Sequence, residues 1–369
     1  MNPFEEQKKK QEKINKAMEK IHCLIAVGSG KGGVGKSTVS ANLALSLAKE
    51  GYRVGLADAD VYGPSIPTLF NVENPEVMAT EIDGEERMIP IEKYGIKLMS
   101  VGFMVDQSAA LMWRGPMASN ALTQLISETA WGELDFLILD MPPGTGDIQL
   151  TLIQSFHPTA SIFVCTPQQL AVADVRRAVN MFTDAQIKIP VLGLVENMAY
   201  FTPNDMPEKK YFIFGKDGAK KLAEELGIEL LEQIPISEQM SECNDSGNPI
   251  SMLFSTSEAQ AFMSLAHKVE RRQKKLRTNK TLVRMTPQER QILEAKVKNA
   301  VEQIRPYLQQ DGGDIRFVSL TEDKIVNVEL QGHCGSCPYA LMTLKQNVEL
   351  AIKDAIPEIV SVENINPIG

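Results

Sequence analysis

Short apolar segments alternate with segments whose apolar residues recur at helical spacing, from residue 21 to about residue 275. Buried strands that alternate with helices are typical of a parallel sheet covered by helices. The predicted strands are Cys23–Val27, Arg53–Ala57, Ile96–Val101, Leu134–Asp140, Ser161–Thr166, Val191–Glu196 and Glu229–Ile234. The predicted helices are Val39–Leu47, Pro116–Thr129, Ala171–Phe182, Ala219–Leu226 and Glu258–Lys275. We therefore expect an α/β fold with a mostly parallel, doubly wound sheet.

Two segments depart from this alternation. Residues 5–21 are highly charged but carry an apolar stripe of Ile14, Met18 and Ile21, which predicts a helix that lies on the first domain. Residues 71–94 are polar, which predicts an insertion built around a hairpin.

A second, smaller α/β domain is predicted near the C-terminus. Its predicted elements are the helix Pro287–Leu308, the strands Ile315–Leu320 and Lys324–Leu330, the helix Ala340–Ala355 and the strand Ile359–Val362. We divide the chain into an N-terminal charged helix (1–20), a first domain (21–275), a polar and basic linker (276–285) and a second domain (286–369).

A glycine-rich stretch, Gly28–Thr38, follows the first predicted strand and precedes the first helix. Glycines let backbone amides converge on an anion, and the helix start adds unsatisfied N–H groups. In the spacing G-x-x-x-x-G-K-[ST], Lys36 serves the outer phosphates and Ser37 offers a hydroxyl to magnesium. The stretch predicts an ATP site. The residues expected to bind ATP are Gly30, Lys31, Gly32, Gly33, Val34, Gly35, Lys36, Ser37 and Thr38.

Carboxylates stand at the ends of two predicted strands, where ligands bind in an open α/β sheet. We expect Asp60 to orient the attacking water, and Asp58 to support magnesium or the neighbouring loop. Asp140 is expected to hold magnesium. The loop Met141–Asp147 that follows contains two prolines and two glycines, which suits a sensor of the γ-phosphate.

The whole-chain composition narrows the function classes. The net charge of −9 disfavours non-specific nucleic-acid binding, and no apolar run is long enough for a membrane helix. The charged first twenty residues do not resemble a secretory signal, so we expect a cytoplasmic protein without nucleic-acid or membrane partners.

The stretch Lys31-Gly-Gly-Val-Gly-Lys-Ser-Thr38 resembles the deviant phosphate loop of the MinD/ParA/nitrogenase-iron-protein class of P-loop NTPases. That resemblance implies a homodimer in which Lys31 reaches the ATP of the partner subunit. Residues 58–65 are similar to the first switch of the class. Asn197 stands where the class places an amide that contacts adenine.

The octapeptide Asp140-Met-Pro-Pro-Gly-Thr-Gly-Asp147 is similar to that of the Mrp/ApbC branch, the iron-sulfur cluster carrier ATPases. This branch normally carries a Cys-Pro-x-Cys pair after the position of Asn197, but residues 199–214 contain no cysteine. A cluster on the ATPase domain itself is therefore in doubt.

One close cysteine pair, Cys334 and Cys337, precedes a predicted helix. Thiolates are favoured at a helix N-terminus, and one pair supplies half of a four-thiolate shell, so two chains would complete a cluster site. A zinc site or a redox dithiol are the alternatives. Together with Asp311-Gly-Gly-Asp-Ile315, this domain resembles the C-terminal domain of NifU-type scaffolds.

We therefore expect a magnesium-dependent ATPase that carries an iron-sulfur cluster, in [4Fe–4S] form, and delivers it to apoproteins. A positioning or partition ATPase with a structural or redox C-terminal module is the alternative. A nucleotide-binding scaffold with negligible turnover is a third interpretation.

Overall fold

The computed structural model describes residues 3–82, 84–104, 115–203, 205–206, 208–253, 255–281, 287–310, 312–321, 324–332, 348–359 and 361–365. The chain divides into two compact units, Met1–Glu270 and Arg271–Gly369.

An eight-stranded sheet forms the centre of the first unit. Its strands are β1 (Leu24–Ser29), β2 (Val54–Asp58), β5 (Ile91–Lys93), β6 (Ile96–Ser100), β7 (Phe136–Asp140), β8 (Ala160–Cys165), β9 (Val191–Glu196) and β10 (Glu229–Gln233). Their order is β10-β9-β8-β1-β7-β2-β6-β5, and only β5 is antiparallel to its neighbour. The central strands β1, β7 and β8 are buried along their whole length because helices cover both faces.

The helices of the first unit alternate with these strands. They are α1 (Pro3–Met18), α2 (Lys36–Lys49), α3 (Ile66–Leu69), α4 (Gly115–Ser127), α5 (Asp147–Phe156), α6 (Gln169–Thr183), α7 (Gly218–Leu226), α8 (Glu238–Asp245) and α9 (Ser257–Thr281), which continues into the second unit. Short 3₁₀ turns span Val101–Phe103 and Ile250–Met252. The predicted doubly wound α/β architecture is confirmed, and its strand ends differ from the predicted ones by one or two residues.

The two atypical segments also fold as predicted. Helix α1 buries Ile14, which is 3% exposed, against the core of the first unit, and Met18 and Ile21 pack beside it. The polar insertion contains an antiparallel hairpin, β3 (Ala79–Ile82) with β4 (Glu85–Met88).

The second unit contains α10 (Pro287–Gln310), β11 (Gly313–Leu320), β12 (Ile325–Gly332), α11 (Leu350–Ala355) and β13 (Ser361–Asn364). Strands β11 and β12 are antiparallel, and β13 is parallel to β12. The last strand lies about two residues after its predicted position. Of the predicted helix 340–355, residues 340–347 lie outside the described residues.

The last helix of the first unit reaches into the segment that is predicted as a linker. Helix α9 extends to Thr281 and so includes residues 276–281, which were assigned to a linker, while residues 282–286 lie outside the described ranges. This segment contains neither glycine nor proline, so nothing interrupts the helix.

Within the described residues, none of the helices combines the length and hydropathy needed to cross a membrane.

Candidate functional site

The glycine-rich loop joins β1 to α2 and ends with Gly35 as the N-cap of that helix. Gly35 has φ +81° and Gly33 has φ +77°, backbone conformations that other residues adopt at a cost. No side chain caps the helix, so its first N–H groups point into the loop. The loop has the geometry that an anion site requires.

At two of the glycines, neighbouring residues leave no room for a side chain. A Cβ on Gly35 would lie 2.2 Å from Nδ2 of Asn197, and one on Gly30 would lie 2.4 Å from the backbone of Asp174. A Cβ on Gly32 would meet no atom within 4 Å. The loop is therefore packed on one side against β9 and α6, and open at Gly32.

The ends of two strands, β2 and β7, bring carboxylates to this loop. Asp58 and Asp140 are direct partners in the register of β2 and β7, and Val27 of β1 is the partner of Asp140 on the other side. Nζ of Lys36 lies 2.8 Å from Oδ2 of Asp140 and 3.5 Å from Oδ2 of Asp60. All of these residues are at most 8% exposed.

Hydroxyl groups complete the surroundings of Asp140. Ser37 Oγ donates to Oδ2 of Asp140 at 2.6 Å, and Ser40 Oγ donates to Oδ1 at 2.6 Å. Hard oxygen donors of this kind suit magnesium, so the predicted pair of Ser37 and Asp140 fits that ion.

Burial and neighbouring charges shift the pKa values of Lys36 and of the carboxyl groups around it. Burial alone would lower the pKa of Lys36, but the charges of Asp140 and Asp60 outweigh it and raise this pKa. Burial and the charge of Asp140 raise the pKa of Asp58 to about 7. Burial also raises the pKa of Asp60, although the charge of Lys36 opposes this. One ammonium group thus faces three carboxyl groups, and a further cation would be stabilised here.

Asp58 is bonded to the loop that follows β2. Its carboxylate accepts hydrogen bonds from the backbone N–H of Asp60 at 3.1 Å, from that of Ile66 at 3.3 Å and from Oγ of Ser100 at 2.9 Å. Of the two roles predicted for Asp58, the structure places it in support of the neighbouring loop. Its role toward magnesium stays a prediction.

The loop after Asp140 is attached to β1. The backbone N–H of Met141 donates to Val27 O at 3.1 Å, and that of Gly144 donates to Ser29 O at 2.9 Å. Gly144 has φ +92°. The loop that is predicted to sense the γ-phosphate therefore contacts the start of the phosphate loop directly.

Lys31 and Asn197 have partners within the chain. Nζ of Lys31 donates to Oε1 of Gln168 at 3.3 Å, and Nδ2 of Asn197 donates to Val34 O at 2.8 Å. Asn197 therefore holds the phosphate loop in position. Its predicted contact with adenine, and the reach of Lys31 to a partner subunit, stay predictions.

Sequence reasoning missed Ser40, Ser100 and Gln168. Ser40 follows Ser37 by three residues on α2, so helical periodicity places both hydroxyls on the face toward Asp140. Ser100 ends β6, which lies next to β2 only in the observed strand order.

The cysteines separate into two groups. Cys23 and Cys165 are buried, and Cys243 is half-buried. Cys334 and Cys337, the predicted cluster ligands, lie outside the described residues.

The segment after Asn197 is held by backbone and aromatic contacts. Phe201 and Tyr211 exchange two backbone hydrogen bonds of 2.8 Å, and Nζ of Lys210 lies 3.9 Å from the ring centroid of Tyr200. A cavity of about 640 Å³ opens beside it, lined in part by Tyr200, Phe201 and Pro235.

In the second unit, a bidentate ion pair fixes part of the Asp-Gly-Gly-Asp-Ile motif. Nε and Nη2 of Arg305 bind the two carboxylate oxygens of Asp314 at 2.7 and 3.0 Å. In the ladder, Gly313 at the start of β11 pairs with Gly332 at the end of β12. Asp311 lies outside the described residues.

Comparison with known proteins assigns both units. A ParA family described as the NUBPL iron-transfer P-loop NTPase matches residues 20–270, and the NifU-like domain matches residues 297–363. The iron-sulfur cluster carrier protein of Aquifex aeolicus is 51% identical over 249 residues, which cover 67% of this chain and 66% of that protein. The chain thus spans slightly less than two thirds of this relative's length.

Solved structures agree with the fold. The ADP complex of a nucleotide-binding protein from Archaeoglobus fulgidus is 38% identical, has a TM-score of 0.57, and covers 67% of this chain and 98% of its own. The cell division ATPase MinD of Pyrococcus furiosus has a TM-score of 0.50 at 20% identity over 68% of this chain and 99% of its own, which is a likeness of fold alone. The predicted resemblances to a cluster-carrier ATPase and to NifU are confirmed, and the relatives' names favour cluster carriage over positioning.

Proposed function

This chain belongs to the family of NUBPL iron-transfer P-loop NTPases, and from that premise we propose that it hydrolyses ATP and carries iron-sulfur clusters to apoproteins. One observation carries the proposal. A phosphate loop with the buried Lys36, Ser37 and Asp140 group is joined in the same chain to a domain that matches the NifU-like family.

The nucleotide half of the proposal is supported by the geometry of the loop. The N–H groups before α2 and the ammonium of Lys36 would stabilise the phosphate charge, and Asp60, 3.5 Å from Lys36, would orient the attacking water. Ser37 and Asp140 would hold magnesium, which supplies neutralising charge to the phosphates. Hydrolysis of this kind needs positioned charges rather than a covalent intermediate.

The cluster is the cargo of the proposed reaction. Cys334 and Cys337 supply two thiolates, and a four-thiolate shell needs two more. A homodimer would provide them, which agrees with the cross-subunit role proposed for Lys31. We place a [4Fe–4S] cluster there and assign to ATP the control of its exposure. This pair would take over the task of the cysteines that residues 199–214 lack.

The proposal is tested by purification without oxygen, followed by iron and sulfide analysis and absorption spectroscopy. The wild-type chain should contain about four irons and four sulfides per dimer, the content of one [4Fe–4S] cluster. The double variant Cys334→Ala, Cys337→Ala should contain almost none. Cys243→Ala is the matched control, because this thiol is half-buried and lies in the first unit. Full loading of the double variant would refute the cluster site.

A further inference from the structure

Gln149 connects helix α5 to the loop that follows Asp140. It lies in the first turn of α5, which begins at Asp147, and its side chain is 1% exposed. Its Nε2 donates a hydrogen bond to the backbone oxygen of Pro142, two residues after Asp140. A buried amide thus contacts the loop that follows Asp140.

The carbonyl oxygen of the Gln149 amide lacks a hydrogen-bond donor within the part of the chain that the structure describes. Oε1 of Gln149 is buried and has no hydrogen-bond partner among the described residues. A buried acceptor without a hydrogen bond lowers the stability of the folded state by about 1–3 kcal/mol. Such acceptors are rare in folded proteins, and each one needs an explanation.

The sequence of the loop explains which donors could reach this oxygen. Pro142 and Pro143 have no N–H, so they cannot donate to it. The first donor after them is the N–H of Gly144, which here donates to Ser29 O. Gly144, at φ +92°, and Gly146 allow the backbone between them to change conformation at little cost.

We infer that Gln149 is a positioning residue for the response to the γ-phosphate, an inference that rests on the proposed ATPase function. Its Nε2 holds the loop in the conformation seen here, and its Oε1 accepts a backbone N–H of residues 144–146 when a triphosphate is bound. The same amide stabilises both positions of the loop while Asp140 stays in place. ADP has no γ-phosphate, so its binding does not move the loop to the position in which Oε1 is bonded.

The test compares the dissociation constants of ADP and of a non-hydrolysable ATP analogue with magnesium. We expect the wild-type chain to prefer the triphosphate, and Gln149→Leu to lose about three- to tenfold of that preference, the value of one hydrogen bond. ADP affinity should stay unchanged. A merely structural role would weaken both nucleotides equally. Gln154→Leu, at an exposed position of the same helix, should behave as wild type.

Gln149→Glu provides a second variant of nearly the same shape, which keeps the acceptor and loses the donor. It should bind the triphosphate at least as well relative to ADP as wild type does. Hydrogen exchange of the wild-type chain provides a measurement that needs no variant: the triphosphate analogue should protect residues 144–146 and ADP should not.

The outcomes separate the two proposals. The inference about Gln149 would be overturned if Gln149→Leu kept the wild-type preference for the triphosphate. It would also be overturned if both nucleotides protected residues 144–146 equally. Neither result would affect the ATPase proposal. A wild-type chain that binds neither nucleotide would overturn the ATPase proposal and this inference with it.

Discussion

Nζ of Lys36 lies 2.8 Å from Oδ2 of Asp140, and the two side chains are 6% and 0% exposed. The lysine that the loop pattern assigns to phosphate is thus paired with the carboxylate assigned to magnesium. In the proposed ATPase, binding of ATP with magnesium would require Lys36 and Asp140 each to exchange its partner. The ion pair keeps both charges compensated in the conformation seen here.

Lys36→Met should therefore affect both stability and activity. It leaves Asp140 and Asp60 without their cation, and removal of one partner from a buried ion pair costs about 3–5 kcal/mol. ATP hydrolysis should fall by at least about a hundredfold, because the phosphate charge loses its ammonium. Urea unfolding and phosphate release measure the two effects. Lys220→Met, at an exposed position, is the control and should change neither.

Ser40→Ala tests a residue that the loop pattern does not include. Its hydroxyl donates to Oδ1 of Asp140 at 2.6 Å, and hydrogen bonds to charged groups contribute about 1.5–3 kcal/mol. We expect a loss of stability in that range and a lower rate of hydrolysis. Ser46→Ala is the matched control on the same helix, because Ser46 contacts Ser251 instead. Equal effects of the two variants would contradict the role of Ser40.

Asp58 should make the stability of the first unit depend on pH. Its pKa is raised from 3.8 to about 7, so the folded state binds the proton more tightly than the unfolded state. This contribution is fully present below about pH 4 and is lost as the pH rises through about 7, at about 1.4 kcal/mol per unit of pKa difference. Asp58→Asn should reduce this slope in urea unfolding measured from pH 4 to pH 8. An unchanged slope would show that Asp58 is ionised throughout.

Gly35→Ala and Gly32→Ala should differ strongly although both lie in the loop. The new Cβ at residue 35 would lie 2.2 Å from Nδ2 of Asn197 on a backbone with φ +81°, whereas the one at residue 32 would contact nothing. We expect Gly35→Ala to lose about 1–3 kcal/mol of unfolding free energy and Gly32→Ala to lose almost none. Thermal unfolding of both variants provides the comparison.

Lys31→Ala should impair association rather than nucleotide binding. Nζ of Lys31 donates a hydrogen bond to Oε1 of Gln168 at 3.3 Å. Giving up this bond to reach the ATP of a partner subunit would cost little. Sedimentation should show ATP-dependent dimers of the wild type and monomers of the variant. The ADP affinity of the variant should stay within about threefold of the wild-type value. If hydrolysis and dimerisation both survive, the cross-subunit role of Lys31 is wrong.

The sequence predicts most of the fold because apolar periodicity determines the order of strands and helices along the chain. It also identifies Lys36, Ser37, Asp60 and Asp140 as candidates, since each lies at or shortly after the end of a predicted strand. These positions need no knowledge of which strands are neighbours.

The remaining contacts depend on the strand order and on loop conformation. Ser100 reaches Asp58 because β6 lies beside β2, and Asn197 reaches Val34 because β9 lies two strands from β1. The bond from Gln149 to Pro142 depends on how the loop turns. The helix over residues 276–281 could not be predicted, because that stretch mixes good helix formers with Thr and Asn, which favour a helix less.

Cluster transfer is the most direct test of the central claim. The chain, reconstituted without oxygen, is mixed with an apoenzyme that needs a [4Fe–4S] cluster, and the recovered enzyme activity is measured with and without ATP and magnesium. The account predicts recovery with the wild-type chain, a change in its rate with ATP, and no recovery with the Cys334→Ala, Cys337→Ala variant. Equal recovery with that variant, or none with a fully loaded wild-type chain, would contradict it.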